Sequence, residues 1–286
     1  MTAEVLLVCN RKAGTGISQE LAARLAGILE ANLHTVANHP EASQATQAWL
    51  ATHPEQPVVV AAGGGGTLRA VVEGSLPNRP HVRVGGLRMG SGNVIPKRYG
   101  VPRDPIAAAH RLKAFIDSGS TRPAAVIRCD FGAETHHGVT MCGLGHFGRT
   151  SGDLVRFHER AAGLRKRAAE LIPLERINDL EYVSSFVARM ALAALVPTSC
   201  ELVTVQPDRR LRLLAGVVLT RADRSDLSYW IVPRYGRPLT GALKQGQELI
   251  LTLEDRRRTE FFLDEDPEIA TGGITIAAAG TVDFVA

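Results

Sequence analysis

Residues 56–67 read Q-P-V-V-V-A-A-G-G-G-G-T. The run 58–62 is apolar without alternation, the pattern of a short strand buried on both faces of a parallel sheet. Gly63, Gly64, Gly65 and Gly66 follow, then Thr67 and a helix-like stretch over 68–74. Four consecutive glycines are costly in chain entropy. A strand, a glycine turn and a helix N-terminus together form an anion cradle. No Cβ blocks the approach, the backbone N–H groups converge, and the helix dipole adds partial positive charge. Taken alone, the stretch also reads as a flexible surface turn.

Two further turns favour the cradle. Residues 5–9 read as a strand and lead through Asn10-Arg11-Lys12-Ala13-Gly14-Thr15-Gly16 into a helix. Residues 82–87 are strand-like and lead into Arg88-Met89-Gly90-Ser91-Gly92-Asn93. In an open parallel sheet, ligands bind outside the carboxyl ends of the strands, where such turns gather.

These segments, with Pro102-Arg103-Asp104-Pro105 downstream, resemble the diacylglycerol kinase and sphingosine kinase family and, more distantly, the NAD kinases. The family pattern is N-P-x-A-G, G-G-D-G-T-L-N-E, G-T-G-N-D and a later D-P. Order and spacing match over roughly residues 1–118. Each glycine motif is weak by itself, and the combination is specific.

The chain has 286 residues, a soft indication of two domains, with a composition ordinary for a soluble globular protein. No run reads as a signal peptide, and the longest apolar run, 190–196, is far too short to span a bilayer. Cys9, Cys129, Cys142 and Cys200 show neither metal spacing nor a disulfide framework. A cytoplasmic protein is expected, peripheral at most to the inner membrane face. The net charge of +4 suggests no nucleic-acid partner.

Alternating helix and strand patterns predict a doubly wound α/β nucleotide-binding domain over 1–118. Helix patterns fall over 17–31, 41–51 and 104–116, and a strand over 33–37. From 119 to 286 short β-rich runs dominate: 124–129, 137–142, 211–220, 228–232, 248–253, 260–263, 274–277 and 282–285. They predict a β-sandwich domain. The resemblance implies the same architecture, with a lipid substrate domain whose last strand returns to the first domain. A helical insert is expected over about 153–196. Its apolar stripe runs through Leu154, Phe157, Ala161, Leu164, Ala168 and Leu171. Arg156, Arg160, Arg165, Lys166 and Arg167 lie mostly off that stripe, so 156–167 is either a domain-packing helix or a peripheral membrane contact. Arg256-Arg257-Arg258 reads as a solvated hairpin tip.

The resemblance implies ATP held between the domains by Asn10, Gly14, Gly63, Gly64, Gly65, Gly66, Thr67, Gly90, Ser91, Gly92 and Asn93. Thr67 sits where a hydroxyl could cap the helix or meet a phosphate. The family's carboxylates are absent. The aspartate of G-G-D-G-T falls on Gly65 and that of G-T-G-N-D on Val94. The Asn and Glu of T-L-N-E fall on Arg69 and Ala70, and a later aspartate falls on Phe147. The usual Mg²⁺ ligands are therefore missing; Mg²⁺ stays open as a cofactor beside ATP, with no metal ligand assigned. Arg69 and Arg88 become candidate phosphate counter-charges. Asp266-Pro267-Glu268, with Asp264 and Glu265 just before it, is the closest match to the family's C-terminal D-G-E. Asp266 and Glu268 are candidate catalytic carboxylates, unless this acidic run is a hairpin tip in solvent. Glu73 and His146 are weaker substitutes.

Two functions follow. One is a divergent ATP-dependent lipid kinase acting on a diacylglycerol, ceramide or sphingoid-type hydroxyl. The other is a catalytically impaired homologue that binds nucleotide or lipid. Dinucleotide binding of another kind is disfavoured, because no G-x-G-x-x-G spacing with a later acid is present.

Overall fold

The computed structural model describes residues 4–13, 16–78, 82–89, 94–160, 184, 187, 188, 191, 201–204, 210–221, 224–253, 258–264 and 266–286. The chain divides into two compact units. The first holds Met1–Ala125, Ala222–Arg224 and Thr281–Ala286, and the second Val126–Arg221 and Ser225–Gly280.

The first unit is a parallel sheet of β1 (Val5–Asn10), β2 (Asn32–Val36), β3 (Val58–Gly63) and β4 (Arg83–Arg88) in the order β2-β1-β3-β4. Asp283 and Phe284, at the end of the last strand, pair in parallel with Arg83 and Val84. β3 is buried at every residue, as its unbroken apolar run requires. α1 (Gln19–Leu29) and α5 (Pro105–Ser118) cover one face. There Leu25, Leu29, Leu112 and Ile116 close over Leu7, Val58, Val60 and Val285. α2 (His39–Thr52) and α3 (Gly65–Ser75) pack on each other and on β1 and β3. Gly74 permits their close crossing: a Cβ there would lie 2.5 Å from the Ser43 carbonyl oxygen. A 3₁₀ turn, Leu76–Asn78, follows α3, and α4 (Val94–Arg98) follows β4.

Local signals set the helix ends. Ser18 Oγ accepts from Leu21 N at 3.1 Å, Asn38 Oδ1 from Glu41 N at 2.9 Å, and Asp104 Oδ1 from Ala107 N at 2.7 Å. Pro40 and Pro105 stand in the first turns of α2 and α5.

The second unit is an antiparallel β-sheet domain. It contains β5 (Thr121–Phe131, whose first residues belong to the first unit), β6 (Glu134–Gly138), β7 (Met141–Leu144), β8 (Glu201–Thr204), β9 (Arg210–Thr220) and β10 (Leu227–Pro233). β11 (Leu239–Leu243), β12 (Glu248–Leu253), β13 (Arg258–Leu263), β14 (Asp266–Thr271) and β15 (Gly273–Val285, whose last residues belong to the first unit) complete it. β9 is central, pairing with β7, β8 and β10. β13 joins β7 to β14, and β12 joins β8 to β15.

Three expectations need correction. The strand expected over 137–142 is two strands, β6 and β7, separated by a bend at Val139 and Thr140. The runs 274–277 and 282–285 are one strand, β15, and β8, β11 and β14 carry no expectation from the sequence. The expected insert opens earlier, as α6 (Gly145–Gly148) and α7 (Thr150–Arg160). Residues 161–183, most of 185–200, and Arg256 and Arg257 lie outside the described residues.

Candidate nucleotide-phosphate site

β1, β3 and β4 end side by side. Cys9 pairs with Ala62, and Gly63 with Arg88. Asn10 closes β1 and ties two loops together. Its Oδ1 accepts from Lys12 N at 3.0 Å, and its Nδ2 donates to Thr67 Oγ1 at 3.2 Å. The first turn is therefore fastened to the start of α3. Burial raises the pKa of Cys9, and the nearby Arg11 acts in the opposite direction.

The helix after the glycines starts earlier than the sequence suggests. Gly63 ends β3, Gly64 is the N-cap, and Gly65 and Gly66 are the first residues of α3. Thr67 is thus the third helical residue and not the cap. It is buried, and its hydroxyl oxygen accepts from Asn10. No side chain caps α3. Each glycine in a helical turn costs about 1 kcal/mol relative to Ala. None of Gly63–Gly66 adopts the left-handed conformation that would require glycine. Gly63 has a steric reason, because a Cβ there would overlap the Thr67 side chain. Gly64, Gly65 and Gly66 are half-buried and line a turn of bare amides.

Arg88 is half-buried at the end of β4. Arg69 is only 3% exposed, and its Nε lies 3.4 Å from Glu73 Oε1. The other Glu73 oxygen meets His39 Nε2 at 2.5 Å. The structure thus gives Arg69 a carboxylate partner and engages Glu73 with α2. Gly14, Gly90, Ser91, Gly92 and Asn93 lie outside the described residues. Among the described residues no group of three or more His, Cys, Asp or Glu could hold a metal ion.

The acidic run near the C-terminus lies in the second unit. Asp266 and Glu268 are half-buried on β14, opposite Leu263 and Phe261. Asp264, just before these two, stands in the turn between β13 and β14. It is 1% exposed with φ +53°. Its Oδ2 accepts from Val139 N at 2.5 Å. Its Oδ1 accepts from Thr140 N at 2.7 Å, Thr140 Oγ1 at 2.7 Å and Met141 N at 3.1 Å. Burial raises its pKa, and these hydrogen bonds act in the opposite direction. The solvent-tip reading of the acidic run is therefore overturned at Asp264. No local signal marks this acid, whose partners lie about 125 residues earlier.

Residues 143–148 form a packing seat. A Cβ on Gly143 would strike the Phe262 ring, and one on Gly148 would lie 2.5 Å from the Gly143 carbonyl oxygen. Phe147 meets Phe262 edge-on at 5.2 Å. An aromatic contact thus occupies the position where the resemblance places an aspartate. His146 is buried in α6 beside it.

Residues 4–129 match the family described as the diacylglycerol kinase catalytic domain. No curated protein matches the chain. Among solved structures, a diacylglycerol kinase from Bacillus anthracis str. Sterne aligns over 99% of this chain and 96% of its own at 14% identity, with TM-score 0.64. A second structure from the same strain, described as a "putative diacylglycerol kinase", covers 99% and 97% at 15% identity, with TM-score 0.68. At such identities the structural likeness concerns the fold. Residues 4–129 thus match the diacylglycerol kinase catalytic domain, and the chain as a whole has the two-domain fold of these kinase structures.

Proposed function

We propose that this chain is a divergent lipid kinase that binds ATP at the carboxyl edge of its parallel sheet and passes the γ-phosphoryl to a lipid hydroxyl. The observation that carries the reading is the start of α3. Its glycines cost stability, their backbone conformation does not require glycine, and Asn10 anchors the turn through Thr67. Bare amides at a helix N-terminus suit phosphate oxygens. Gly14, Gly90, Ser91, Gly92 and Asn93 are proposed to complete the nucleotide contacts, with Arg88 neutralising phosphate charge. The acceptor is of diacylglycerol, ceramide or sphingoid type. Asp266 and Glu268 are the proposed bases for its hydroxyl.

The donors present do not form a divalent-cation site among the described residues, so no step is routed through a metal. Calorimetric titration with ATP should show binding that changes little when Mg²⁺ is chelated. Absence of binding in both buffers would remove the proposal.

A second reading is binding without transfer. Gly65 at the start of α3 and the Phe147–Phe262 contact favour it, since neither position can hold a metal or take a proton. Labelled ATP and a panel of lipid alcohols separate the two. Transfer by the wild type, lost in Asp266→Asn or Glu268→Gln, supports the kinase. Transfer gained only in Gly65→Asp supports the impaired homologue.

A further inference from the structure

Strands β9 to β11 carry an unusual charge pattern. Residues 210–221 and 227–247 contain no Asp or Glu, yet they include Arg210, Arg212, Arg221, Arg234, Arg237 and Lys244. Arg221 lies 3.8 Å from Asp226. β8 adds one acidic position, Glu201, opposite Leu213. The turn between β10 and β11 reads Arg234-Tyr235-Gly236-Arg237-Pro238. Tyr235 is 73% exposed, and the Arg234 guanidinium lies over its ring at 5.6 Å. Arg234 N donates to Arg212 O at 2.7 Å, which brings a further arginine to this end of the sheet.

The hairpin also presents an apolar ring on its outer face. Trp230 is 41% exposed and pairs with Val217 on β9 and Thr240 on β11. Its neighbours on the alternate face, Leu227 and Ile231, are fully buried. Tyr and Trp rings favour a boundary that is apolar on one side and wet on the other. Guanidinium groups beside them favour phosphate-bearing headgroups, and a carboxyl-free strand pair avoids repulsion from an anionic surface. On α7, by contrast, Arg156 is engaged by Asp153 at 2.9 Å and Glu260 at 3.1 Å.

We propose that the β10–β11 hairpin, through Tyr235, Arg237 and Trp230, docks this protein on an anionic lipid bilayer. The surface is independent of ATP and of phosphoryl transfer. It would bring the protein to the medium that holds a lipid substrate.

The test uses the full chain without nucleotide. Vesicles of phosphatidylcholine alone are compared with vesicles that also contain phosphatidylglycerol. Co-sedimentation should require the anionic lipid and weaken with added salt. Arg237→Ala should lower partitioning about fivefold, and Tyr235→Ala should lower it further in the double variant. In a Trp49→Phe background Trp230 is the sole tryptophan, and lipids brominated on the acyl chains should quench it. The proposal is overturned by absent binding, by a double variant that binds as well as the wild type, or by unquenched Trp230. A salt-independent dimer lost in Trp230→Ser would overturn it in favour of a second copy. ATP calorimetry on the double variant should be unchanged, so failure here leaves the phosphate site to its own test.

Discussion

Asp264→Asn isolates the acid that joins two distant turns of the second unit. In the wild type both carboxylate oxygens accept. Oδ2 takes the Val139 amide, and Oδ1 takes both Thr140 donors and the Met141 amide. Asparagine has one acceptor oxygen. Placed on the Oδ1 side, it leaves its own NH₂ facing the Val139 N–H. One hydrogen bond is lost and one buried donor is orphaned, a cost of about 1–3 kcal/mol. The backbone itself is not disturbed, because Asn tolerates φ +53° as well as Asp does. Asp264→Ala should cost more. It strips every acceptor and adds roughly 1 kcal/mol for a left-handed Ala. Urea unfolding of the three proteins at neutral pH measures both. Asn equal to wild type within about 0.5 kcal/mol, or Ala no worse than Asn, would refute the anchoring role.

The same pair of proteins tests the pKa direction. Burial raises the Asp264 pKa in the folded state. A carboxyl that holds its proton more tightly when folded contributes stability fully present below its unfolded pKa. That contribution is lost as pH rises through the folded pKa. Asp264→Asn has no such proton. The stability gap between wild type and Asn should be widest in acid and shrink as pH rises to neutrality. A gap that widens with rising pH would show that the four donors outweigh burial.

Other substitutions test the first unit. Gly63→Ala places a methyl against Thr67; it should cost about 1–3 kcal/mol and weaken ATP binding, read by urea unfolding and calorimetry. Gly74→Ala gains about 1 kcal/mol of helix propensity but sets a Cβ 2.8 Å from that of Thr46 and closer to the Ser43 carbonyl, so a lower melting temperature is expected. Asn10→Ala removes the bond to Thr67 and should cost about 1 kcal/mol, with a loss of ATP affinity that calorimetry resolves.

The parallel sheet was legible because its signals are local. An unbroken apolar run gives β3, and Asp104-Pro105 caps and opens α5 within four residues. The start of α3 was displaced because glycine disfavours helix, so Gly65 and Gly66 read as turn although both are already helical. Half of the Arg69–Glu73–His39 group is visible as an i,i+4 pair, while His39 arrives from α2. The β6–β7 bend shows the limit most sharply. Val139 and Thr140 are strand-forming residues and Gly138 before them is a single isolated signal, so 137–142 reads as one strand. The bend is held from elsewhere. Asp264 receives the amides of Val139, Thr140 and Met141, and Thr220 Oγ1 donates to the Val139 carbonyl at 2.8 Å. Gly138 leaves room for Leu263 and Asp264, and the rest of the turn chemistry that a loop ordinarily carries in its own residues is supplied here by an acid on another hairpin. A reader of the sequence sees that acid only as part of a charged run.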